Sequence, residues 1–182
     1  MDLMDLYERV LAAVLQSTTL DESLVHYLKT TALSHFVVEK AWVWPLAETL
    51  HFIGLALLIG AIAPLDLRLM GFLKRIPLSA LHSLAPWAIA GFTINLVTGI
   101  MFFVGAPNQY IANSSWYLKL LFLAIAGVNM LAFETTQKER ALAMDTETRT
   151  PGVFKTIGAV SLVSWFMVLY WGRMLAFLGN AF

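Results

Sequence analysis

The chain has 182 residues, of which 59% are hydrophobic and only 13% charged, with a mean hydropathy of +0.72. Soluble domains carry about 25% charged residues, so this composition excludes a disordered chain and argues against a water-soluble globule. Twelve Lys and Arg balance twelve Asp and Glu, and cysteine is absent. The first fact removes the electrostatic case for nucleic acid, and the second excludes disulfides, iron–sulfur clusters, thiolate-ligated haem or zinc and cysteine nucleophiles.

At the start of the chain, Leu3, Leu6, Tyr7, Val10, Leu11 and Val14 recur at helical spacing opposite Asp2, Asp5, Glu8 and Arg9. The pattern predicts an amphipathic helix lying on a membrane surface or docking a partner. The early acids stand where a secretory signal would be basic, so no cleaved leader is expected. Asp21 and Glu22, after Thr18 and Thr19, mark the start of a second short helix reaching toward Phe36. Residues 1–40 therefore read as an interfacial, amphipathic helical segment ahead of the rest.

A helix needs about 20 mostly apolar residues to cross a bilayer. Four segments qualify, at residues 41–63, 84–105, 116–133 and 156–178. Residues 76–118 contain no Asp, Glu, Lys or Arg, and neither do residues 156–172. The third span is the shortest charge-free run, bounded by Lys119 and Glu134, both of which reach headgroups by snorkelling. Asp66, following Pro64, reads as the cap of an amphipathic continuation from Leu67 to Leu73 along the surface. The fold expected is all-α: an integral membrane four-helix bundle over residues 41–182 with the interfacial segment before it.

Basic residues give an orientation. Arg68, Lys74 and Arg75 lie between spans one and two, and Lys138, Arg140, Arg149 and Lys155 between spans three and four; residues 106–115 have none. The positive-inside rule then expects both basic connections in the cytoplasm and both termini outside. Trp42, Trp44, Trp116, Tyr117 and Trp171 would gather near the outer interface as an aromatic belt.

Polar groups inside hydrocarbon are costly and become functional candidates by default. At a rise of about 1.5 Å per residue, His51 lies close to the midplane and Glu48 one turn nearer the outside. Gly91, Asn95 and Gly99 form a small-residue seam on the second span, Asn129 lies mid-span on the third, and Arg173 lies in the outer third of the fourth. The expected arrangement is a Glu48–Arg173 ion pair with His51, Asn95 and Asn129 below it.

Several chemistries suit that cluster. A bis-histidine haem b needs a second His at matching depth, whereas His82 falls about 20 Å from His51 in depth, and His26 and His35 precede the first span. A haem with His51 as its one protein ligand and Arg173 on a propionate stays open. Glu48-x-x-His51 has the spacing of di-iron bundles, but only one copy is present where two are needed. A His, an acid and an Arg under an aromatic roof would also bind a quinone carbonyl, pass protons or anchor a lipid headgroup. The structural alternative is that these polar side chains hold the helices in register. His82, near Lys74 and Arg75, reads as a solvated end residue.

The ordered set Trp44-Pro45-Leu46-Ala47-Glu48-Thr49-Leu50-His51-Phe52-Ile53-Gly54, Asp66-Leu67-Arg68-Leu69-Met70-Gly71, Ala85-Pro86-Trp87, Tyr110-x-x-Asn113, Lys119-Leu120, Ala126-Gly127-x-Asn129 and Gly172-Arg173-Met174-Leu175-Ala176-Phe177 resembles an uncharacterised bacterial family of four-span membrane proteins. That family is itself distantly similar to copper-resistance D and b-type cytochrome membrane domains. The resemblance implies the four-span architecture and a polar cluster at Glu48, His51 and Arg173, in a bacterial inner (cytoplasmic) membrane. Its pattern places a His after the Phe that ends the third span, where this chain has Glu134. The function expected is a small membrane subunit of an electron- or proton-handling assembly, with a redox cofactor (haem b) or quinone near Glu48, His51 and Arg173, and with the lipid bilayer and other membrane subunits as partners. The alternative is a non-catalytic accessory subunit docked laterally on a larger complex.

Overall fold

The computed structural model describes residues 22–143 and 150–178, and these are helical throughout apart from short connections. The amphipathic pattern over residues 3–15 lies outside the described residues. Residues 22–29 form α1, and α2 (Ala32–Glu39) follows at once because the Thr31 hydroxyl accepts from the Ser34 amide at 3.2 Å. An N-cap of this kind starts a new helix rather than extending the previous one, so the expected second helix is broken at Thr31.

Four helices are long and apolar enough to cross a membrane: α3 (Val43–Met70); α5 (Ala85–Gly105), which extends to Leu78 through the short α4 (Leu78–His82); α7 (Ser114–Ala132); and α9 (Gly152–Leu178). The protein is a multi-pass, all-α membrane protein. Between α5 and α7 lies the single turn α6 (Asn108–Ile111). Asn113 then caps α7, its Oδ1 accepting from the Ser115 amide at 2.9 Å while its Nδ2 donates to the Leu175 carbonyl at 3.1 Å. One buried side chain thus starts α7 and ties it to α9.

At 28 residues, α3 spans about 42 Å, more than the hydrocarbon thickness of about 30 Å. It runs unbroken through Pro64 to Met70, so the expected break into a surface continuation does not occur and Asp66 is no cap. Pro64 removes only the amide that would have donated to the Gly60 carbonyl, and the helix carries on around it, with Asp66 buried at 3% exposure within α3. The helix ends at Gly71, the one residue with positive φ among those described (96°). There the Gly71 amide donates to Arg68 O and the Phe72 amide to Leu67 O, both at 3.0 Å. This left-handed stop is one that glycine adopts without a Cβ clash. Arg68, fully buried, donates from Nε to the Ile76 carbonyl at 2.9 Å and so pins the connection to α4.

α3 is the central strut, packed against α5 on one side and α9 on the other, and α7 packs on α9. Bare backbone makes both α3 contacts. A Cβ on Gly91 would lie 2.6 Å from Gly54 O and 2.7 Å from Leu58 N, and one on Gly158 would lie 2.6 Å from Asp66 O. The row α5–α3–α9–α7 curls into a bundle, but α5 and α7 make no extended contact with one another. Leu58, Ala126, Trp165 and Val168 form one buried core; Leu69, Leu78, Phe133, Ala141 and Phe154 form a second at the α4 end. At that end α7 widens into a π-helical turn (Phe133–Gln137) before α8 (Lys138–Leu142).

The crossing predicts a sharp contrast between glycines. Gly91→Ala should lower stability by about 2 kcal/mol or more, because backbone cannot yield as a side chain does. Gly127→Ala, with nothing within 4 Å of its Cβ position, should change stability by less than about 0.5 kcal/mol. Unfolding of the two variants in detergent, followed by circular dichroism, measures both.

Candidate functional site

The missing α5–α7 contact leaves a cavity of about 200 Å³ in the half of the bundle nearer α6. His51 and Leu55 of α3 and Trp165 and Val168 of α9 line its back, with Asn95, Gly99 and Phe103 of α5 on one flank and Trp116, Lys119 and Leu123 of α7 on the other. Phe92, Leu96 and Ile100 of α5 and Leu120 of α7 line it while keeping 37–50% of their surface exposed. Such partial exposure marks the mouth, which opens sideways between α5 and α7 into the apolar surroundings. At the α6 end the rings close over it. Phe103 stacks on Trp116 at 5.5 Å and 14°, and Tyr110 meets Trp116 edge-on at 5.1 Å. Burial in this cluster pushes the Tyr110 phenol up to about 12.

The polar floor starts from a seam. His51 and Gly54 share one face of α3, and Gly91, Asn95 and Thr98 share one face of α5; the glycine crossing brings the two faces together. His51 Nδ1 lies 2.7 Å from Thr98 Oγ1, which lies 2.7 Å from the Ile94 carbonyl. Two oxygens at that distance need a proton between them, and the carbonyl has none, so the hydroxyl donates to Ile94. The Nδ1–H of His51 must then donate to Thr98. In the neutral imidazole Nε2 then keeps its lone pair, and among the described residues it has no hydrogen-bond partner. Asn95 donates to the Gly91 carbonyl at 2.9 Å, and its buried Oδ1 has no partner.

Lys119 is the residue that sequence reasoning missed. It lies one turn inside α7, with Nζ 3.6 Å from where a Cβ of Gly172 would stand and 6.0 Å from the Trp116 ring centroid. No ion pair engages it among the described residues. The signal that would have found it is the Asn113-Ser114-Ser115 cap, which starts the helix early enough to carry Lys119 inward.

The other expected members are elsewhere. Glu48 is exposed and accepts from the Trp44 indole on its own helix at 3.1 Å. Arg173 is exposed and lies 5.2 Å over the Phe177 ring, also on its own helix. The Glu48–Arg173 ion pair does not form. Asn129 donates to the Ile157 carbonyl at 3.1 Å, a tie between α7 and α9 away from the cavity. His82 is not a solvated end residue: its Nε2 lies 2.9 Å from Glu134 Oε1, and Lys138 donates to Glu134 Oε2 at 2.9 Å. The π-helical turn, with Glu134 in its first turn, supplies the carboxylate for that contact.

These residues do not fit a haem. At about 200 Å³ the cavity falls below the roughly 300–1,000 Å³ of sites that enclose a whole ligand, which leaves room for part of a ligand and not for a haem macrocycle. Of the other described histidines, His82 and His35 are engaged with Glu134 and Glu39, and His26 lies on α1. No cluster of three or more His, Asp or Glu able to hold a metal ion occurs among the described residues. Comparison with known protein families, curated proteins and solved structures finds no match to the chain.

Replacing Thr98 with Val should remove the acceptor that fixes the His51 tautomer. In ¹⁵N-histidine NMR the wild-type His51 should show its proton on Nδ1, and Thr98→Val should shift most of the population to the Nε2–H form. A protonated Nε2 in the wild type would contradict the assignment.

Proposed function

We propose that the protein is a small subunit of an electron- or proton-handling assembly in a bacterial inner membrane, and that its α5–α7 cleft binds the headgroup of a quinone. The observation that carries this reading is a laterally open cavity with an aromatic roof and two polar side chains without hydrogen-bond partners among the described residues, His51 at Nε2 and Lys119 at Nζ. A quinone is dissolved in the bilayer and arrives from the side. Its flat ring suits stacking against Phe103, Trp116 and Trp165, and its oxygens alternate between acceptor and donor as it is reduced. Lys119 donates to a carbonyl oxygen, and His51 Nε2 accepts from a hydroxyl. His51 would take one of the two protons released when bound quinol passes its electrons to a redox partner in the assembly.

The orientation follows the basic residues. Arg68, Lys74, Arg75, Lys138, Arg140 and Lys155 all belong to the α4 end, which the positive-inside rule assigns to the cytoplasm. The cleft then belongs to the periplasmic half, with both termini on that side.

Trp116 and Trp165 line the cavity and report occupancy. Titrating a short-chain quinone into detergent-purified protein should quench tryptophan fluorescence saturably. His51→Leu and Lys119→Met should each weaken binding about tenfold, the loss of one hydrogen bond to a buried site; Glu48→Gln and Arg173→Gln should leave it unchanged. Quenching that is linear, or equal in all four variants, would refute the site and favour the accessory-subunit reading.

A further inference from the structure

The charges around the cleft are one-sided. Lys119 is the one Lys or Arg among its lining residues, and no Asp or Glu lines it. The carboxylate expected nearby, Glu48, is turned away to Trp44, and the described ion pairs, His35–Glu39 and Glu134 with His82 and Lys138, leave Lys119 out. Asn95 and Thr98 carry no charge, and the imidazole of His51 adds no negative one.

The ammonium is also held in place. A lysine near a helix end ordinarily snorkels toward water, but this one lies against the face of α9 that Gly172 leaves bare. Its Nζ sits 6.0 Å from the Trp116 ring, under the aromatic roof. An unpaired cation among apolar side chains is costly until an anion meets it.

Resting on the quinone reading above, we infer that the cleft selects an anionic headgroup, a quinone bearing an acidic ring hydroxyl, whose charge is met by Lys119. His51 positions the ring through Nε2; Lys119 supplies the charge selection. This is a statement about the class of ligand and not only about its presence, because a neutral quinone would leave the lysine's charge uncompensated.

Two probes of nearly the same size separate the possibilities: 1,4-naphthoquinone, which is neutral, and 2-hydroxy-1,4-naphthoquinone, which is an anion at neutral pH. Isothermal titration calorimetry on the purified full chain should show the hydroxylated probe binding at least about tenfold tighter than the parent. In Lys119→Met the two probes should bind equally, each more weakly than in the wild type, with an unchanged circular dichroism spectrum and unfolding midpoint reporting the intact fold; in Lys119→Arg the advantage should be retained. Equal affinities in the wild type, or an advantage that survives in Lys119→Met, would overturn the inference and leave the quinone site standing. Binding of neither probe to the wild type would overturn the quinone reading and this inference with it.

Discussion

The close approach of two bare backbones, Gly54 of α3 and Gly91 of α5, is the contact on which the rest of the molecule depends. Within a bilayer no hydrophobic effect drives one helix against another, so association rests on van der Waals packing where small residues let backbones approach. With a Cβ on Gly91 excluded by Gly54 O at 2.6 Å, the two helices lie closer than any larger residue would allow. Gly158 repeats the device between α9 and α3. Once both neighbours are locked to α3, α5 and α7 stand at opposite ends of the row α5–α3–α9–α7. Nothing comparable draws them together, and Gly99 and Gly127 have open space where a Cβ would point.

The gap between α5 and α7 is bridged near its ends. At the α6 end Phe103 stacks on Trp116. At the α4 end, His82, just ahead of α5, meets Glu134 at the end of α7. A regular α-helix advances about 100° per residue, and a π-helical turn advances less. Such a turn therefore swings the side chains beyond it onto a new face. The turn over Phe133–Gln137 also sends α8 back across α4, where Ala141 is fully buried with Leu78. The ends are thus fixed by aromatic stacking and a shared carboxylate, while the middle stays open toward the bilayer.

The four spans were legible because a charge-free run is a one-dimensional signal that survives without knowledge of neighbours. Azimuth is not such a signal. Depth placed Glu48, His51 and Arg173 in one half of the bundle, but Glu48 and Arg173 each found a partner four residues away on their own helix, Trp44 and Phe177, and neither faces the cavity lining. Lys119 was read as the marker of a span's end because only residues 120–133 are free of charge, yet α7 begins at Ser114. Pro64 suggested a break, but α3 runs on through it to Met70. The π-helical turn has no sequence signature, and with it went the meeting of His82 and Glu134. The seam Gly91-x-x-x-Asn95-x-x-x-Gly99 was legible as a stripe, but not that its first glycine is a contact, its asparagine a cavity wall and its last glycine open space.

Packing and chemistry share that stripe. On α3, His51 stands three residues from Gly54; on α5, Thr98 stands seven residues from Gly91, both on the same helical face. Because the two helices run in opposite directions, the crossing at the glycines carries His51 toward Thr98, and the 2.7 Å contact between them is possible only at the separation that the glycines permit. The imidazole tautomer is therefore set by backbone packing two turns away. Thr98 can hold it there because its own proton is already committed to the Ile94 carbonyl within α5. A helix-internal hydrogen bond turns the threonine into an obligate acceptor, the acceptor fixes the proton on Nδ1, and the basic Nε2 is left for the cleft.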